Sequence, residues 1–154
     1  MTLSEIDAVV SEIRIAASPQ DVFAYFVDPD KMVRWIGTRV ALDPRPGGAY
    51  AIDMNTETRA RGRYVEVVPH SRVVFTWGWE GQETGEHAVA PGSSRVEVDL
   101  TPDGDGTLVR LRHLDLPEQS REIHGQGWDM YLGRLAAAAE GRDPAADPSG
   151  PDNE

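Results

Sequence analysis

The chain has 154 residues and a mass of 16.9 kDa, room for one ordinary domain that can bury a core without staples. It holds no cysteine, which excludes a disulfide framework, thiolate metal sites and cysteine nucleophiles. Fifteen Lys and Arg stand against 26 Asp and Glu, a formal net charge of −11, which argues against nucleic acid and anionic membrane surfaces as partners. The last fourteen residues, Gly141 to Glu154, carry four acids and one base, so most of the acidity belongs to the body of the chain. No apolar run reaches the length of a membrane span, and the N-terminus lacks the basic-then-apolar order of a signal peptide. A cytoplasmic location is the expectation.

In chain order, Val9–Ala16 alternates loosely, as a half-buried strand does. Ser18-Pro19-Gln20-Asp21 then starts a helix, with Ser18 as cap and Pro19 at the first helical position. Asp28-Pro29 stops that helix and begins a second, whose inner face carries Met32, Val33, Trp35 and Ile36. From Thr38 to Leu114 the period changes to two. Strands are expected at Thr38–Asp43, Ala49–Thr56, Arg59–Val68, Arg72–Glu80, Ser94–Thr101 and Thr107–Leu114, with turn residues between most of them. The aperiodic stretch Gly81–Ser93 is expected to be a mobile loop. A long helix follows from about Glu118 to Glu140 and ends at Gly141. Gly125, Gly127 and Gly133 inside it suggest close backbone approach to the sheet.

Strand parity and the helix wheel select the inward residues. Val73, Phe75, Trp77 and Trp79 share one face. Val96, Val98 and Leu100 alternate with Arg95, Glu97 and Asp99, and Val109, Leu111 and His113 form another inward row. On the long helix, Arg121, His124, Trp128, Tyr131, Leu132, Leu135 and Ala139 fall together. A long helix with a bulky apolar face must cover a sheet, which makes the fold class α+β: a curved antiparallel sheet of six or seven strands around the C-terminal helix. The domain is expected over residues 9–140, with a flexible N-terminus at 1–8 and a disordered acidic tail at 141–154.

Four stretches carry a resemblance: Asp43–Tyr50 (DPRPGGAY), Gly62–Trp79 (GRYVEVVPHSRVVFTWGW), Ser93–His113 (SSRVEVDLTPDGDGTLVRLRH) and His124–Ala137 (HGQGWDMYLGRLAA). In order and spacing they resemble the START-like helix-grip superfamily (SRPBCC), in the branch named after the activator of heat-shock protein 90 ATPase. The resemblance runs from about Val9 to Glu140. It implies a β-α-α-β₆-α fold in which the sheet grips the long helix and leaves an apolar cavity.

The candidate ligand-binding residues are Trp35, Met54, Phe75, Trp77, Trp79, Trp128 and Tyr131 for apolar contact, with His113, Arg121 and His124 as a polar mouth that orients a carboxylate or hydroxyl. The competing reading makes the aromatic residues plain core, His113 a satisfied core histidine and Arg121 a surface residue. The expected function is therefore binding of a small hydrophobic or aromatic molecule, entering near the Gly81–Ser93 loop. Two alternatives stand beside it. One is a cavity enzyme of cyclase or hydrolase type using His113 as acid or base, paired with Glu66 or another inward carboxylate. The other is a co-chaperone-like regulator of a heat-shock ATPase, although the named activator uses an additional N-terminal domain for which 154 residues leave no room. No nucleophile elbow or zinc motif occurs, so no catalytic residue, metal or cofactor is expected. Ile123 and Met130 fall on the outer side of the helix wheel and suggest a possible homodimer.

Overall fold

The computed structural model describes residues 8–81 and 89–144, so the expected flexible N-terminus, most of the acidic tail and the centre of the Gly81–Ser93 loop lie outside the described residues. The chain opens with β1 (Val9–Ile15) and passes into two short helices, α1 (Pro19–Val27) and α2 (Pro29–Met32). Their boundaries follow from capping. The Ser18 hydroxyl accepts from the Asp21 amide at 3.1 Å, and the Asp28 carboxylate accepts from the Asp30 amide at 2.9 Å. Asp28 thus ends one helix and starts the next.

Six strands follow: β2 (Arg39–Leu42), β3 (Ala49–Asp53), β4 (Arg59–Val68), β5 (Arg72–Trp77), β6 (Ser94–Asp103) and β7 (Gly106–Leu114). With β1 they form one open, curved, fully antiparallel sheet in the order β1-β7-β6-β5-β4-β3-β2. The last element, α3 (Glu118–Ala139), packs along β1 and over the inner face of the sheet. Between β7 and α3 the chain turns at Asp115, whose φ of 67° lies in the left-handed region that Asp tolerates better than most residues. Among the described residues no helix is long and apolar enough to cross a membrane.

Several strand limits differ from the periodicity, and β3 ends at Asp53 instead of Thr56. β5 stops at Trp77 instead of continuing to Glu80, because a Cβ at Gly78 would sit 1.7 Å from the Ala90 carbonyl oxygen. The returning loop crosses there, and Trp79 keeps only an isolated bridge to Ala60. The β6–β7 hairpin runs longer than expected, to the Asp103–Gly106 pair, because Gly104 takes φ of 64° and closes a tight turn.

The outer face of the sheet centres on Glu97, which is 8% exposed and ringed by Arg72, Arg95 and Arg112. Burial pushes its pKa up, but the arginines outweigh this and hold it below the usual carboxylate range. Glu66 belongs to this outer network, with Arg72 Nε 3.0 Å away. It therefore does not pair with the inward His113, one of the pairings that the cavity-enzyme alternative allows.

Candidate functional site

The helix–sheet space has two ends. Beneath α1 and α2 it is filled. Trp35 and Phe26 meet edge to face at 5.3 Å, and Tyr50 stacks on Phe75 at 4.0 Å. Three ring donors at this end find backbone: Trp35 Nε1 donates to Tyr25 O at 3.0 Å, Tyr64 Oη to Phe26 O at 2.9 Å and Tyr25 Oη to Ala138 O at 3.2 Å.

Toward the first half of α3 the space is hollow. A cavity of about 370 Å³ lies between α3 and the sheet. Trp77, Trp79, Met54 and Ile36 wall it on one side, and His124, Gly127, Trp128 and Tyr131 of α3 on the other. Val89, Ser120 and Ile123 complete the lining, and Ile123, 68% exposed, places the mouth at the surface. Thus Met54, Trp77, Trp79, His124, Trp128 and Tyr131 of the candidate residues line the cavity, while Trp35, Phe75, His113 and Arg121 do not. Trp35 and Phe75 point the right way along their elements but are sealed into the filled end by Phe26 and Tyr50.

His113 forms the wall behind the cavity and is 0% exposed. Trp128 Nε1 donates to its Nδ1 at 2.9 Å. Its other nitrogen, Nε2, therefore carries the proton and donates to Ser94 Oγ at 2.8 Å, and Ser94 donates onward to Trp77 O at 2.7 Å. Burial, then the nearby His124, push the His113 pKa down to about 3. Both nitrogens are occupied and the ring is neutral, so His113 is a buried linker between β6, β7 and α3 and is not equipped as an acid or base.

His124 does reach the cavity. Its Nδ1 donates to Ser120 O at 2.8 Å, which leaves Nε2 to accept from Trp79 Nε1 at 3.2 Å. Burial lowers its pKa more than the Ser120 hydrogen bond raises it, so it too is held toward the neutral form. Of the expected polar mouth of His113, Arg121 and His124, only His124 lines the cavity, and it is held toward the neutral form. No group of three or more His, Cys, Asp or Glu among the described residues is placed to hold a metal.

Ile36, Val89, Ser120, Ile123 and Gly127 line the cavity without having been selected from the sequence. Gly127 had a signal, since a glycine inside a helix is costly, but its meaning is the reverse of close approach. A Cβ at Gly127 would meet nothing within 4 Å, whereas one at Gly125 would lie 3.4 Å from Val9 Cγ1. Val89 sits at the edge of the aperiodic loop, where no pattern marks a buried residue.

The profile of the family described as Activator of Hsp90 ATPase homolog 1-like protein matches residues 16–140. The chain belongs to this family. The AHSA1-like fold places it in the START-like helix-grip superfamily. It is similar to an AHSA1-like protein from Rhizobium etli, with 45% identity over 93% of this chain and 88% of that one, at a TM-score of 0.70. CalU16 from Micromonospora echinospora shares 30% identity over 94% of this chain and 78% of its own, at a TM-score of 0.72. The Aha1 of Colwellia psychrerythraea, solved as a dimer, shares 19% identity over 86% of this chain and 96% of that one at a TM-score of 0.71, a likeness of fold alone. A Schizosaccharomyces pombe protein is 25% identical over 138 residues, and the chain spans 38% of that protein's length.

Proposed function

We propose that the protein binds a small apolar or aromatic molecule between α3 and the sheet. The observation that carries this reading is the hollow of about 370 Å³ walled by Trp77, Trp79, Trp128 and Tyr131 in a chain whose other helix–sheet space is filled. Moving about 200 Å² of aromatic ligand surface out of water contributes about 5 kcal/mol. Gly127 supports the same reading, because a glycine there gives up helix stability and leaves room in the wall. Ile123 reads as part of the entrance, because it lines the cavity and is 68% exposed.

The test is a titration with 2-ethylnaphthalene followed by tryptophan fluorescence. The wild type is expected to saturate, since three tryptophans line the cavity. Gly127→Leu, which fills the open space, should abolish saturation while leaving the far-ultraviolet circular dichroism unchanged. A wild type that shows no saturable response, or a Gly127→Leu variant that binds equally well, overturns the proposal.

A further inference from the structure

The polar atoms of the cavity wall can be assigned one by one. Trp79 Nε1 is spent on His124, and His124 uses both nitrogens on Trp79 and Ser120 O. Trp128 Nε1 is spent on His113, and the Ser120 hydroxyl on Pro117 O at 2.9 Å. Two groups remain. Trp77 Nε1 is buried with no hydrogen-bond partner, and the Tyr131 hydroxyl makes no hydrogen bond among the described residues. Burial raises the Tyr131 pKa, which keeps its proton on the oxygen. Both groups are therefore donors, and neither is charged.

We infer that the ligand is an uncharged aromatic compound bearing a hydrogen-bond acceptor, of the aryl ketone or quinone class, with its oxygen directed to Tyr131 and Trp77. This deepens the proposed function and rests on it. Three observations converge. Among the described residues no Lys, Arg, Asp or Glu lines the cavity, so an ionised ligand would lose its hydration without a counter-charge from them. The chain's net charge of −11 repels anions before they reach the mouth. A buried donor without a partner is unfavourable in the empty protein and is recovered when an acceptor arrives. An aromatic cage for a cation fits less well, because the rings contact one another (Trp77 and Trp79 at 5.2 Å, Trp77 and Trp128 at 5.3 Å) and no carboxylate among the described residues joins them.

One ring skeleton in four forms tests this near neutral pH: 2-acetylnaphthalene, 2-ethylnaphthalene, 2-naphthoate and 2-naphthylmethylammonium, each titrated calorimetrically. The ketone should bind at least about a hundredfold more tightly than either ion. Tyr131→Phe or Trp77→Phe should each lower the ratio of ketone to 2-ethylnaphthalene affinity about threefold to tenfold, whatever each does to the hydrocarbon alone, and residual hydrocarbon binding reports that the variant is folded. If the naphthoate or the ammonium form matches the ketone, the inference is overturned while the cavity reading stands. The same follows if neither variant separates ketone from hydrocarbon. If none of the four binds, both fall together.

Discussion

The two ends of the helix–sheet space are built from the same residue types and come out opposite. At the α1–α2 end Trp35, Tyr25 and Tyr64 each hand a polar hydrogen to a backbone carbonyl, and the rings fill the volume. At the other end Trp79 and Trp128 hand theirs to histidines, Trp77 to nothing, and a hollow remains. The difference lies in what faces the rings. The filled end is closed by Phe26 and Met32 from the short helices, whereas the hollow end is faced by the glycine-bearing, polar first half of α3. Aromatic content alone does not make a site. A site needs an opposing element that withholds side chains.

Truncation should expose this asymmetry most strongly. Trp35→Ala removes a ring 1% exposed together with its hydrogen bond to Tyr25 O, and should cost about 3–5 kcal/mol in denaturant unfolding. Trp79→Ala removes a half-buried ring that already borders empty space, and should cost about 2 kcal/mol or less while weakening ligand binding. Equal losses at the two positions would mean that the hollow end is packed as tightly as the filled one.

His113→Phe should come next, at about 2–4 kcal/mol, because it strands the Trp128 N–H and breaks the bond to Ser94 inside the core. It should also alter the response to acid. The folded His113 pKa of about 3 lies below the ordinary value of 6.5, so between those limits the unfolded chain binds a proton that the native state does not. Stability from this group is complete above pH 6.5 and lost as pH falls, by up to about 1.4 kcal/mol per pH unit. His124, also lowered, adds to the slope with the same sign. Unfolding midpoints measured between pH 7 and pH 5 should therefore fall in the wild type and fall less in His113→Phe. An identical slope in both would remove the histidine wall as the source of acid sensitivity.

The boundary between filled and hollow is only partly legible in the sequence. Alternation in β6 and β7 is clean enough to place His113 inside, since Val96, Val98, Val109 and Leu111 share its face. It does not say that Trp128, 15 residues on, would occupy its Nδ1, because that depends on how α3 lies on the sheet. Phe75 and Trp77 have the same parity and the same apparent claim on a ligand. The β3–β4 and β4–β5 registers, which together bring Tyr50 over Phe75, separate them, and no local pattern encodes those pairings. Trp79 has the parity of Trp77 in sequence yet reaches the cavity from a broken strand, with Gly78 making room for the Ala90 carbonyl.

The smallest effect is the most specific to the comparison. Glycine inside a helix costs about 1 kcal/mol relative to alanine when nothing else changes. At Gly127 nothing else does change, since a Cβ meets no atom within 4 Å, so Gly127→Ala should raise stability by about 1 kcal/mol. At Gly125 the added methyl would press on Val9 Cγ1 at 3.4 Å, and the gain in helix propensity should be largely cancelled. Two glycines two residues apart on one helix should thus respond differently, one because it faces the cavity and the other because it seats α3 on β1. Ligand affinity adds the second half of the test: Gly127→Ala narrows the cavity and should weaken binding as it stabilises the fold, while Gly125→Ala should leave binding unchanged. A Gly127→Ala variant that is destabilised would mean that space beside the helix is already occupied, and the hollow would have to be redrawn from there.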